Sequence, residues 1–269
     1  LAWLLASPAL LAGPLRLVSL APHITELVFA AGAGGQLVGV AEYSDYPAEA
    51  RLIPRIGGHG GLDYERILLL KPDRVLVWPS GNGQQALTRL QQLGLRVQAV
   101  EPRRLEDIAD ALESIGQLGP QAQQAKQRAE GLRLRLQQLR QRYAGRRPVR
   151  LFYQIWDRPL MTLSGGHILN QALELCGGQN PFAGVAALTP QVSPEAVLLS
   201  QPELILLPTD HETAQRWQAG WQQLASPSRA WRFAQLNPDL LQRASPRMLD
   251  GLEQLCAAID QTRQGAADD

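Results

Sequence analysis

Leu62–Trp78 reads LDYERILLLKPDRVLVW, and Val192–Leu207 reads VSPEAVLLSQPELILL. Aligned on Glu65 and Glu195, the stretches pair Ile67 with Val197, Leu68 with Leu198 and Leu69 with Leu199. They also pair Pro72 with Pro202, Asp73 with Glu203 and Leu76 with Leu206, all at one offset of 130 residues. Each stretch predicts a short helix, a break marked by proline, and a strand of aliphatic residues. A constant offset through so particular a pattern marks an internal repeat. Two related lobes of one design are expected.

The flanking sequence supports this. Upstream, strands are predicted at Leu15–Leu20, Leu37–Ala41 and Leu95–Val100, with helices at Ile24–Ala31, Gln84–Leu93 and Leu105–Leu118. Downstream, Val149–Gln154 reads as a strand, and Ser164-Gly165-Gly166 opens a helix that ends at Cys176-Gly177-Gly178. Ala230–Leu236 is a further strand candidate, and Ser245-Pro246 starts a last helix through Ile259. Alternating helices and strands imply a parallel sheet covered on both faces.

Between the halves lies Gln121–Ala144, in which Ala122, Ala125, Ala129, Leu132, Leu136, Leu139 and Tyr143 recur at spacings of three and four. That is one apolar stripe on a helix about 36 Å long. Pro120 suits its first turn and Gly145 its end, while Gly131 in the middle costs about 1 kcal/mol against alanine. Its Arg, Lys and Gln face reads as solvated. The expected fold is α/β: two similar lobes with parallel sheets, bridged by this single long helix, with a ligand cleft between them. The expected bounds are 15–119 for the first lobe, 120–147 for the bridge, 148–262 for the second lobe and 263–269 for a tail.

With 45% hydrophobic and 19% charged residues the chain can bury ample cores, and its net charge of +1 points to no nucleic-acid partner. Leu1–Ala12, LAWLLASPALLA, has the length of a signal-peptide core and is too short to span a bilayer. Residues 1–14 are therefore expected to be the remainder of a signal peptide, with export to a periplasm and no direct membrane insertion. In an exported chain the two cysteines, Cys176 and Cys256, form either a disulfide or two buried thiols.

Loops at the carboxyl ends of the strands would line the cleft. They carry Tyr43, Tyr46, His59, Trp78, Trp156, Thr189 and the run Asp239–Arg243, and the aromatic residues suit a large flat ligand. Catalytic patterns are absent. The histidines at 23, 59, 167 and 211 are scattered; Asp45, Asp63 and Asp157 form no pair; no Gly-x-Ser-x-Gly occurs. The glycine loop Gly57–Gly61 lacks the Lys-Ser/Thr of a phosphate loop. An enzyme is not expected.

Six motifs carry a resemblance: Leu20-Ala-Pro-His-Ile-Thr-Glu26, Tyr43-Ser-Asp-Tyr-Pro47, Glu65-Arg-Ile with Lys71-Pro-Asp73, Leu175-Cys-Gly-Gly-Gln-Asn180, Pro190-Gln-Val-Ser193 and Arg243-Ala-Ser-Pro-Arg247. In this order, over about residues 15 to 260, the chain resembles the cobalamin (vitamin B12) branch of the helix-bridged, periplasmic substrate-binding proteins of bacterial ABC importers. The wider class includes haem and ferric-siderophore binders. The resemblance implies capture of cobalamin, or a related corrinoid, and delivery to a membrane permease. Tyr43 and Trp78 would meet the corrin from the first lobe, and Asp239 and Arg243 would hydrogen-bond its amide arms from the second. Glu65 and Glu195 match the family's two glutamates that dock on permease arginines, and Cys176 and Cys256 match a family disulfide. His59 and Thr189 stand where the cobalamin binders carry tryptophans. A histidine at 59 is placed to be an axial ligand to cobalt or iron, in its neutral form. No other metal site and no resident cofactor is expected. The rival readings are a haem binder, a ferric-siderophore binder and, from another class, a corrinoid- or metallocofactor-processing enzyme. A monomer is expected, with the apolar stripe of the long helix packed within the chain.

Overall fold

The computed structural model describes residues 13–58, 60–224 and 231–265. The expected signal segment Leu1–Ala12 and His59 lie outside the described residues. The chain groups into two compact units, Leu1–Ala99 with Ile115–Ala122, and Val100–Ser114 with Gln123–Asp269.

The first unit runs β1 (Leu17–Ser19), α1 (Pro22–Ala30), β2 (Leu37–Val40), a hairpin of β3 (Gly57–Gly58) and β4 (Gly61–Leu62), α2 (Tyr64–Leu69), β5 (Arg74–Val77), α3 (Pro79–Asn82), α4 (Gln84–Gln92) and β6 (Val97–Ala99). Its sheet has the order β2-β1-β5-β6, with every pair parallel. Val18, Val75 and Val77 pack on one face with Ile56, Ile67 and Leu90. Leu17 and Leu76 are fully buried too, so these strands read as continuous apolar runs rather than alternations.

The second unit contains most of α5 (Asp107–Gly116) and α6 (Ala122–Tyr143), then β7 (Val149–Tyr153), a hairpin of β8 (Trp156–Asp157) and β9 (Leu160–Met161), and α7 (Ile168–Leu175). It continues with β10 (Gly178–Gln179), α8 (Pro194–Ser200), β11 (Leu204–Leu207), α9 (His211–Leu224), β12 (Arg232–Gln235), α10 (Pro238–Leu241) and α11 (Met248–Gly265). Its four-stranded sheet, β10-β7-β11-β12, is again parallel and repeats the first order strand for strand. The core joins Phe152, Ile205 and Leu207 to Trp217, Trp221 and Trp231.

The 130-residue repeat survives in atomic detail. Asp63 caps α2 by accepting from the Arg66 N–H at 2.9 Å, and Ser193 caps α8 by accepting from Ala196 at 3.2 Å. Each helix ends in a residue with positive φ, Lys71 (45°) and Gln201 (52°), which reverses the chain into the proline. The acid after that proline then ties the break to the central strand. Asp73 accepts from the Arg16 N–H at 2.7 Å, and Glu203 accepts from Arg150 at 3.0 Å.

The long helix α6 buries Ala125, Ala129, Leu136, Leu139 and Tyr143 of the expected stripe, and Gly145 beyond its end takes φ 70°. Its polar face is more engaged than a solvated surface. Arg133 binds Asp110 (2.7 Å) and Glu113 (3.0 Å) of α5, and Arg135 binds Asp250 (2.6 Å) and Glu253 (2.9 Å) of α11. Arg140 pairs with Glu106. Cys176 and Cys256 form a disulfide joining the end of α7 to α11, with Cα atoms 4.8 Å apart, which removes the two-thiol alternative.

Candidate functional site

Each unit carries a hollow at the carboxyl ends of its strands, where a parallel sheet leaves unpaired loop backbone. The first, of about 320 Å³, is lined by the residues following β1, β2 and β5, among them Ala21, Glu42, Tyr43, Trp78, Asn82 and Gln85. Tyr43 is 76% exposed and sits at φ 62°, a conformation that an aromatic residue adopts only when its surroundings impose it. Beneath it, the buried Thr25 Oγ1 bonds both Ser19 (2.9 Å) and Ser44 (3.0 Å), tying the loop after β2 to β1 and α1. Trp78 is held from two sides. Its N–H donates to Asn82 Oδ1 (2.7 Å), while Asn82 Nδ2 donates to the Leu20 carbonyl (3.0 Å). Its ring meets His23 edge-on at 5.1 Å. Tyr43 and Trp78 thus line one hollow, Trp78 held in place and Tyr43 presented on a loop anchored from below.

The second hollow, of about 680 Å³, follows β7, β11 and β12 and is lined by Tyr153, Trp156, His167, Thr189, Trp217 and Gln242, among others. Trp156 stands half-exposed on the β8–β9 hairpin, its Nε1–H donating to the Arg158 carbonyl at 3.2 Å. Burial raises the Tyr153 phenol far above its ordinary range, so it is neutral. Burial also lowers the His167 imidazole, and its Nδ1 accepts from the Leu169 N–H (3.1 Å), capping α7. Asp239 and Arg243 pair at 3.1 Å on and just beyond α10, whose neighbours Pro238 and Gln242 line this hollow. Arg243 is largely buried, so its guanidinium is fixed in direction.

The structure therefore brings Tyr43 together with Trp78 in the first hollow and Trp156 with Thr189 in the second, while Asp239 and Arg243 adjoin in sequence the lining residues Pro238 and Gln242. Glu65 and Glu195 stand away from both hollows, exposed in the first turns of α2 and α8. Hydrogen bonds from its own backbone N–H and from Ser193 hold the Glu195 carboxyl below its usual range. Asn82, His167 and Trp217 are site residues that the sequence does not mark. Ala214, Trp217 and Trp221 do recur at helical spacing, which is the available signal for α9. Among the described residues no group of three or more His, Cys, Asp or Glu is placed to hold a metal ion, and no helix is long and apolar enough to cross a membrane.

The profile of the periplasmic binding protein family matches residues 17–246. The chain is 41% identical to the vitamin B12-binding protein of Vibrio cholerae over 262 residues, covering 96% of this chain and 94% of that one. It is 37% identical over 254 residues to the vitamin B12-binding protein of Photorhabdus laumondii, covering 94% and 91%. The crystal structure of the periplasmic vitamin B12 binding protein of Vibrio cholerae superposes with a TM-score of 0.85 at 40% identity, covering 92% and 97%. A periplasmic haem binding protein of the same organism shares the fold, with a TM-score of 0.76 at 20% identity and coverage of 90% and 98%.

Proposed function

This chain belongs to the periplasmic binding protein family, and from that premise we propose that it captures cobalamin, or a related corrinoid, in the periplasm and delivers it to an ABC importer. The observation that carries the reading is 41% identity along 96% of the chain to a vitamin B12-binding protein. At such identity the two chains share one fold along nearly their whole length. The haem binder, at 20%, supports the fold alone.

In this reading Tyr43 and Trp78 of the first unit lay aromatic surface against the corrin, whose flat macrocycle and methyl-rich edge favour such contact. Arg243, held by Asp239, donates to the carbonyl oxygens of the corrin's amide arms, and Asp239 accepts from their NH₂ groups. Trp156 and Thr189 line the same region of the second unit, where threonine leaves more room than an aromatic residue would. Glu65 and Glu195 are the docking carboxylates for basic residues of the permease. The protein works as a monomer, exported by an N-terminal signal peptide. Capture and release require no chemical step, so no catalytic residue is assigned.

Equilibrium titration with cyanocobalamin, cobinamide and haemin, followed by absorption spectroscopy, tests this. Cyanocobalamin binding at micromolar concentration or tighter, with no haem Soret shift, is expected. Failure to bind either corrinoid would sink the proposal.

A further inference from the structure

Two copies of one folding unit are free to diverge wherever a side chain meets only water, because packing makes no demand there. Ile67 and Val197 are fully buried and both remain apolar. Outward positions on and just beyond the same two helices have drifted: Arg66 is matched by Ala196, and Lys71 by Gln201. Leu68 and Leu198 are alike, but Leu198 packs against its core; two further pairs are alike and fully outward in both copies. Glu65 is matched by Glu195 and Leu69 by Leu199, and the leucines are 79% and 83% exposed.

Residues four apart share one helix face, so each unit displays a carboxylate with a leucine one turn beyond it. A leucine left in water gives up the stabilisation that burial would supply. One such residue on a surface carries no message; the same residue kept at the same place in both copies does. Neither leucine lines the two hollows, so the face is not ligand-binding surface. The acid fixes the charge of what covers it as basic. The repetition requires an occupant that offers the same combination twice, a basic side chain with an apolar recess roughly 5 Å away, the rise of one helical turn.

We infer that Leu69 and Leu199 are apolar anchors which, beside Glu65 and Glu195, seat each unit on one of two like halves of the importer's membrane permease. This rests on the delivery reading proposed above and adds to it the contacts that exclude water around the glutamates. Charge pairs at an interface steer the approach, and buried apolar contacts slow the departure.

The test is the affinity of the full chain for a bacterial cobalamin importer reconstituted in lipid nanodiscs. The parent is compared with Leu69→Gln/Leu199→Gln, which keeps side-chain length and helix propensity, and with Glu65→Lys/Glu195→Lys. Cyanocobalamin affinity and sedimentation are measured alongside. The expected result is docking weakened about tenfold or more in the leucine variant, mainly through faster dissociation, with cyanocobalamin affinity unchanged. If that variant docks as tightly as the parent while the charge reversal abolishes docking, the leucine assignment is overturned and the delivery reading stands. If neither variant weakens docking, both fall. A parent that sediments as a dimer, made monomeric by the leucine substitutions, would identify a second copy as the occupant and overturn the inference.

Discussion

Replacing Cys176 and Cys256 together by alanine should remove a large share of the second unit's stability. The cross-link spans 80 residues, and in the chain-entropy description closing a loop of that length in the denatured state is worth about 4.5 kcal/mol. Both sulfurs are completely buried between α7 and α11, so deleting them adds about 1 kcal/mol of lost packing. The expected total is about 5 kcal/mol, and the denaturant m-value should rise because the released chain expands further. Guanidinium unfolding followed by tryptophan fluorescence suits the question, since four of the six tryptophans, at 156, 217, 221 and 231, lie in the second unit. The double-alanine variant is preferable to reduction alone, because it leaves no thiols to exchange. A loss below about 1 kcal/mol with an unchanged m-value would refute the reasoning, because it would mean that the cross-link does not restrict the denatured chain.

Other outcomes follow from particular side chains. Gly131 sits exposed inside α6 on a helical backbone, and a Cβ added there would meet no other atom within 4 Å. Gly131→Ala should therefore stabilise by about 1 kcal/mol in thermal unfolding. His167 has its imidazole lowered by burial from the ordinary value of 6.5. The unfolded chain therefore takes up its proton first, and stability complete above pH 6.5 should fall as pH drops through the window below it. His167→Asn keeps a capping acceptor and removes the titration, and unfolding measured between about pH 7.5 and about pH 5 should show a flatter profile than the parent. Tyr43→Ala and Arg243→Ala should each weaken cyanocobalamin binding about tenfold or more by isothermal titration, and Tyr43→Ala should leave the melting temperature nearly unchanged, since the residue is exposed and alanine keeps the same φ 62° cost.

What is legible ahead of the structure is whatever repeats. The helix-break-strand unit appears twice with its core residues, so two parallel sheets and their central strands follow from one offset. The stripe of α6 is legible because seven positions agree. By contrast α9 stays hidden, although Ala214, Trp217 and Trp221 lie on one face, because α4, which takes the same place between β5 and β6, is nine residues long against its fourteen and carries no tryptophan. The arginines of α6 read as solvated because their partners are as far as 118 residues away in sequence, as with Arg135 and Glu253. At the site, Tyr43, Trp78 and Trp156 are legible as aromatic residues in loops after strands. His167 and Trp217 are not, because what places them in the second hollow is the packing of helices around β7, which no local spacing encodes.

The path of the chain has a consequence for its synthesis. Residues 100–114 group with the second unit, whereas 115–122 return to the first, where the Leu118 carbonyl accepts from Gln36 Nε2 at 2.9 Å. Emerging from a ribosome, the first unit cannot be completed at its last strand, β6; it must wait for Ala122. Most of α5 is by then already outside, yet Arg133, the partner of its Asp110 and Glu113, and Arg140, the partner of Glu106 just before it, have still to emerge. The two units are therefore interleaved along the chain: the first is closed by a segment that follows α5, and the acids of α5 find their cations only in α6.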